Sequence, residues 1–444
     1  MSAPEPIGKR IFQCSRARRR WRQDLGNGGG AGEHSVLAAR AIWFRQCASH
    51  FEMDKPRMHL PDYERGSIVN LLSAIQSALG VDGCRYAPLP HLDPHELARA
   101  RHIVLMVIDG LGYRCLLQHR ANTLRQHLVA RITSVFPSTT AAAITTFFTG
   151  TAPQQHALTG WFTYFKELGA VITPLPFKPR MTKGSSGEVG VQARHLFDHP
   201  SMFEKIQRRR YIVLPRHIVD SDYTLAFSGG AARVGYKSLG ECFKSITEIL
   251  RTNGEPAYVY AYWPELDTTA HAYGIGSDRV AILIEQLDSE FARFLKAVRN
   301  SGATVIVTAD HGIIDSQPQE LIRLEEHPQL AETLVLPLCG EPRVAFCYVH
   351  PHKTGAFERY VRARLSRYAW LMSSEDLIAR GYFGLGEPHP RLLDRIGHYA
   401  LVMKDRYVIK DWLLDEKRYV QVGVHGGVSE EEMYVPLILV NSGR

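Results

Sequence analysis

The chain has 444 residues, 45% hydrophobic and 22% charged, which excludes a low-complexity polypeptide and is long enough for one large α/β domain or two ordinary ones. Its formal net charge of +8 is concentrated at one end, because residues 1–57 hold eleven Lys/Arg against five Asp/Glu and the remaining 387 residues are nearly neutral at +2. A basic tail beside a neutral body is not the distributed basic face that nucleic acid or an anionic membrane would call for.

Residues 1–57 open with arginines (Arg16, Arg18, Arg19, Arg20) and a glycine-rich stretch from Gly26 to Gly32. No apolar core of secretory-signal type follows them. The segment reads as a disordered extension, or as sequence upstream of a true start at Met53 or Met58. From Ile68 a helical period appears (Ile68, Leu71, Leu72, Ile75, Leu79). Strand-like runs follow at 102–108, 131–136, 256–263, 303–308 and 434–440, with helical patterns such as 278–299 between them. This alternation predicts an α/β fold, a three-layer α/β/α sandwich around a mostly parallel sheet, spanning 58–444. More than a hundred residues separate His311 from His425, too many for a plain loop. They contain strand-like runs at 343–349 and 398–409 and a helical run at 354–367, so 335–420 is expected to be an inserted α+β cap subdomain.

What singles the sequence out is how the strands end. The first runs into Asp109-Gly110, the third into Asp267, and the fourth into Asp310-His311-Gly312. In parallel sheets the carboxyl edge is where ligands bind, so residues distant in sequence can converge there. Asp267 and His271 are one helical turn apart and share a face, about 5–6 Å apart at Cβ. His425 lies in VHGGVSEEE, beside glycines that permit close approach. Each piece alone is ordinary, since an aspartate after a strand is commonly a turn or cap residue. Together, three Asp and three His make a mixed oxygen and nitrogen donor set that suits Zn2+, or Mn2+, better than calcium or a structural zinc. Six ligands plus a bridging nucleophile point to two divalent metal ions. The segment SVFPSTTAAAITTFFTG at 134–150 offers threonine hydroxyls at a helix start, where an anion is favoured.

These residues, in this order, resemble the alkaline phosphatase superfamily and, within it, the type I phosphodiesterase/nucleotide pyrophosphatase family, which includes phosphonoacetate hydrolase. The resemblance covers roughly 100–320 and 420–440. The family's F-P-T-K-T-F-P-N segment, continuing to T-G, matches Phe136 to Gly150 without a gap. It implies Thr140 as the catalytic nucleophile, transiently phosphorylated and then hydrolysed with retention at phosphorus, with Thr139 as fallback. It also implies one metal on Asp109, Thr140, Asp310 and His311 and another on Asp267, His271 and His425. The family's phosphate-binding asparagine falls on Ala143, so another donor, the Thr140 N–H or a cap residue, is expected in its place. The implied substrate is a small phosphate ester or nucleotide. A phosphonate hydrolase or phosphomonoesterase on the same scaffold is the alternative, and a nucleic-acid-binding role for the N-terminal arginines the distant one. No sulfatase motif of the form C-x-P-x-R surrounds the threonines.

Seven cysteines lie scattered with no C-x-x-C pair, and no apolar run approaches the roughly 20 residues that span a bilayer. A cytoplasmic protein without a membrane partner is therefore expected. Trp161, Phe162, Tyr164 and Phe165 could stack on a base, but ordinary core is the expectation for most of them.

Overall fold

The structure, a computed structural model, describes residues 57–180, 190–252, 254–414 and 416–442. The extension expected over 1–57 lies, up to residue 56, outside the described residues. The central sheet has seven strands: β1 (His102–Ile108), β2 (Leu128–Thr133), β3 (Arg209–Pro215), β4 (Ala232–Tyr236), β5 (Ala257–Trp263), β6 (Ala303–Thr308) and β7 (Tyr434–Asn441), in the spatial order β2-β7-β6-β1-β5-β3-β4. All neighbouring pairs are parallel except those of β7, which runs antiparallel to both β2 and β6. Every residue of β1, β5 and β6 is buried. That explains why these strands are continuous apolar runs rather than alternating ones.

Helices cover the sheet. The Ile68–Ala78 helix begins in a capping box between Ser67 and Asn70, and Ser67 bridges to Thr133 at the end of β2. The long Asp278–Ala297 helix is capped by Ser277 and buries the stripe Val280, Ile284, Leu287, Phe291 and Phe294, the spacing of one helical face. Register sets the strand ends level: Ile108 lies beside Trp263, and Val107 beside Thr308. The residues that follow these strands therefore emerge at one edge.

Four elements depart from expectation. The run expected at 131–136 forms its strand at Leu128–Thr133, because pairing with β7 stops at Thr133 opposite Tyr434 and Pro137 cannot join a ladder. β3 and β4 had no counterpart among the expected strands. The helix expected at 354–367 is a regular helix over Thr354–Tyr360 that passes into a π-helical turn at Val361–Leu365.

Within 335–420 stands a second, four-stranded antiparallel sheet in the order Cys339–Glu341, Val344–Cys347, Tyr399–Met403, Ala369–Ser373. One face packs with Phe136, Ala157 and Val428 from the rest of the chain. The isolated bridge between Phe162 and Gly340 joins its edge to a segment near the helix that starts at Thr140.

Candidate active site

Three turns at the carboxyl edge hold the aspartates. Asp109 follows β1, and its N–H donates to the Trp263 carbonyl at 3.0 Å. Gly110 adopts φ +76°, and a Cβ there would lie 2.5 Å from the Ile313 side chain and 3.2 Å from that of Asp267, so conformation and space both require glycine. Asp310 follows β6. Its Oδ1 accepts from the N–H of Gly110 (3.1 Å) and of His311 (2.9 Å), tying the two turns together. Asp267 and His271 lie on the Glu265–Tyr273 helix with His271 Nε2 3.1 Å from Asp267 Oδ2.

His425 enters from the loop after Gly423–Val424. That loop is anchored by Glu432, which accepts from Gly427 N–H (2.8 Å) and is held by Arg343 through Nη2 at 2.9 Å and Nε at 3.1 Å. Both members of this ion pair are buried.

The three carboxylates share one arrangement. Asp109 Oδ2 accepts from the Tyr262 hydroxyl, Asp310 Oδ1 takes the two backbone donors, and Asp267 Oδ2 faces His271. The remaining oxygens, Asp109 Oδ1, Asp310 Oδ2 and Asp267 Oδ1, are buried with no hydrogen bond. His311 Nε2 lies 3.4 Å from both Asp109 Oδ1 and Asp310 Oδ2, and His425 Nε2 lies 3.7 Å from Asp267 Oδ1. Donor atoms form two groups, Asp109/Asp310/His311 and Asp267/His311/His425, each spanning no more than 4.8 Å. His311 thus stands between the two, and its ring stacks on His425 at 3.8 Å between centroids. His271 reaches the second group through Asp267.

Burial, and then the neighbouring charges of Asp310 and Asp267, push the Asp109 carboxyl well above the usual range. Burial also raises Asp310, against the pull of His311. Burial would raise Asp267 too, but His271 outweighs it and holds Asp267 below the carboxylate range; reciprocally, Asp267 overcomes burial to raise His271. His425 is pushed well below its ordinary value by burial and then by His311, which leaves a neutral imidazole. His271 Nδ1 lies 2.7 Å from the Gly423 carbonyl, and His311 Nδ1 lies 3.1 Å from that of Gly312, so each Nδ1–H donates to backbone and each Nε2 points inward. Unpaired buried carboxylate oxygens facing imidazole nitrogens are a deficit of positive charge that divalent cations fit.

Thr140 opens the Thr140–Thr149 helix, and its Oγ1 lies 3.1 Å from His311 Nε2. Thr139, at the N-cap, does not cap. Its hydroxyl donates instead to Glu341 Oε1 at 2.5 Å. Among the described residues the N–H groups of Thr140, Ala141 and Ala142 meet no acceptor, whereas Ala143 N–H bonds to Thr139 O at 2.9 Å. Free helix N-terminal donors beside a hydroxyl make an anion subsite.

Two contributors had no distinctive signal in the sequence. Tyr262 sits in an apolar strand and reads as core. Glu341 belongs to the second sheet, 200 residues from the threonines; it is 7% exposed, and burial pushes its carboxyl up to about 7. Of the aromatic run, Phe165 is core, Phe162 lies under Arg180 (4.1 Å), and Trp161 is 40% exposed beside Glu341, which accepts its N–H at 2.7 Å.

A hydroxyl at a helix start, beside two clusters of buried carboxylates and imidazoles on the edge of a mainly parallel sheet, makes a candidate metal-binding site suited to hydrolytic chemistry. Residues 103–427 match the model of the type I phosphodiesterase/nucleotide pyrophosphatase family, and the chain belongs to that family. It is a phosphoester hydrolase. Its fold is similar to that of the murine ectonucleotide pyrophosphatase/phosphodiesterase 5, with a TM-score of 0.60 at 16% identity over 77% of this chain and 88% of that one. The human counterpart gives 0.58 at 14% identity, over 77% and 87%. Phosphonoacetate hydrolase from Sinorhizobium meliloti, in complex with phosphonoformate, gives 0.55 at 18% identity, over 78% and 91%. No curated protein sequence matches the chain. Among the described residues, no helix is long and apolar enough to cross a membrane.

Proposed function

We propose that the site holds two divalent cations, zinc or alternatively manganese, and that Thr140 is the nucleophile of a phosphoester hydrolysis passing through a phosphothreonine. Asp109, Asp310 and His311, with Thr140 Oγ1, would hold one cation; Asp267, His271 and His425 would hold the other, with His311 close to both. The observation that carries this reading is the convergence of three buried carboxylate oxygens that no protein donor satisfies. Such cations, when bound, lower the pKa of a hydroxyl and screen the charge of a phosphoryl group.

Thr140 Oγ1 gives up its proton to solvent and attacks phosphorus, the ester P–O bond on the far side breaks, and the leaving alkoxide takes a proton from solvent. The free N–H groups of Thr140, Ala141 and Ala142 receive a non-bridging oxygen, the task left open by Ala143. Water then attacks phosphorus from the opposite side and gives up a proton, the bond to Thr140 Oγ1 breaks and that oxygen takes a proton back, and two inversions give net retention. The murine relative solved as an inactive threonine-to-alanine variant in complex with AMP lends support to a threonine hydroxyl and a nucleotide-type substrate. The region 335–420 acts as a cap that shapes the leaving-group side, and the five described cysteines, all free, support a reducing, cytoplasmic setting.

The test is a panel of p-nitrophenyl monoester, diester, phosphonate and sulfate substrates, after chelation and restoration of zinc or manganese. Phosphoester turnover that is lost on chelation and returns with metal is expected. A preference for the phosphonate would select the alternative reading. Undiminished turnover after complete metal removal would refute the proposal.

A further inference from the structure

Thr139 stands where a threonine ordinarily caps its own helix. It is the N-cap of the Thr140–Thr149 helix, in the extended conformation (φ −139°, ψ 151°) from which an N-cap hydroxyl reaches the N–H groups of the first turn. Ser67, Ser221, Ser277, Ser373 and Ser429 hold the same position on other helices of this chain, and each side chain accepts an N–H of its own first turn. Thr139 does not. Its hydroxyl donates away from the helix, to Glu341 Oε1 at 2.5 Å.

Glu341 is held firmly enough to keep it there. It ends the Cys339–Glu341 strand, paired with Val344, and its Oε1 also accepts the Trp161 N–H at 2.7 Å. Thr139 and Glu341 are both buried, so water does not compete for the bond. Lys410 lies within range of the carboxylate and offsets its charge. What the second sheet presents to Thr139 is thus a fixed acceptor rather than an unbalanced anion.

The consequence falls on the helix start. A Thr139 hydroxyl turned onto the N–H of Ala141 or Ala142 would occupy donors that a phosphoryl oxygen needs. With the hydroxyl engaged at Glu341, the N–H groups of Thr140, Ala141 and Ala142 meet no acceptor among the described residues. We propose that Glu341 is a positioning residue that holds the Thr139 hydroxyl off its own helix and so keeps the helix N-terminus open to a phosphoryl oxygen. This rests on the phosphoester hydrolase reading, with the helix start as its phosphoryl subsite.

The test is calorimetric titration of inorganic phosphate into metal-restored wild type, Glu341→Gln, Glu341→Met and the double variant Glu341→Met/Thr139→Val. Glutamine keeps the acceptor. Methionine removes it at similar volume and releases Thr139 to cap, and valine takes away the hydroxyl that would do so. Glu341→Gln is expected to bind phosphate within about twofold of wild type, and Glu341→Met roughly five- to tenfold more weakly, the order of one helix cap. The double variant is expected to bind about as tightly as wild type, which would also show that methionine at 341 does not itself damage the site. No loss in Glu341→Met, an equal loss in Glu341→Met and the double variant, or a loss of about fivefold or more in Glu341→Gln would overturn the inference. The Glu341→Gln result decides even if the methionine variants fail to fold. In each of these cases, turnover of a p-nitrophenyl phosphate ester by the wild type leaves the hydrolase reading intact. A metal-restored wild type that neither binds phosphate nor turns over such an ester would bring down that reading and this inference together.

Discussion

Tyr262 donates its hydroxyl hydrogen to Asp109 Oδ2, and this bond decides which oxygen of Asp109 faces the site. The two residues come from neighbouring strands whose ends are level. Tyr262→Phe removes the donor and little volume. It should weaken metal binding by roughly 10- to 100-fold, as loss of an outer-shell partner does, with an unchanged circular dichroism spectrum. Metal titration followed by activity recovery measures this, and equal affinities in variant and wild type would show that Asp109 needs no such orientation.

His311 and His271 should differ in how much metal they control. His311 Nε2 belongs to both donor groups, whereas His271 belongs to neither and reaches the second through Asp267. His311→Ala should lower bound metal at both positions, and His271→Ala chiefly at one. Elemental analysis after equilibrium dialysis gives the stoichiometries. Identical losses in the two variants would contradict the central position assigned to His311.

The Arg343–Glu432 pair is buried and supports the loop that carries His425. Arg343→Met leaves a carboxylate without its partner and should cost roughly 3–5 kcal/mol, while Arg343→Met combined with Glu432→Gln should cost less. Burial alone would raise the Glu432 carboxyl, but Arg343 and the hydrogen bonds from Ser429 and Gly427 outweigh it and hold it below the usual value. A depressed folded value contributes stability above the ordinary glutamate range of about 4.3, and that contribution is lost as pH falls through the folded value. Denaturant unfolding of wild type should therefore show a loss of stability below about pH 4 that Arg343→Met lacks. Superimposable pH profiles would rule this contribution out.

Gly312 completes the Asp310-His311-Gly312 turn. A Cβ there would lie 1.9 Å from the Glu431 carbonyl oxygen and 2.8 Å from Gly112 Cα, both backbone atoms with little freedom to yield. Gly312→Ala should destabilise by about 1–3 kcal/mol. It should also lower kcat/KM by roughly a hundredfold through displacement of His311. Thermal unfolding and steady-state kinetics check the two effects separately.

Much of this was legible in the sequence, because β1, β5 and β6 are buried on both faces and their carboxylates stand immediately at or just past their ends. Asp109, Asp267, Asp310 and His311 could be placed at one edge from that fact alone. β3 escaped because its first residues, Arg209 and Arg210, are charged and its apolar run is short, so nothing periodic marked it. The antiparallel course of β7 depends on the chain's return from the second sheet, which no local pattern encodes. Tyr262 resembled its apolar neighbours, and Glu341 was one of many carboxylates until tertiary pairing brought it to Thr139. The sharing of His311 between donor groups is likewise a property of packing, set by its stacking on His425.

The most direct measurement is acid quenching during turnover of a phosphodiester by metal-restored enzyme, followed by mass spectrometry of the peptide containing Thr139 and Thr140. A phosphoryl adduct on Thr140 is predicted in wild type. Thr140→Ala should lack both the adduct and turnover while binding the same amount of metal. Near wild-type turnover by Thr140→Ala, or an adduct on another residue, would contradict the account.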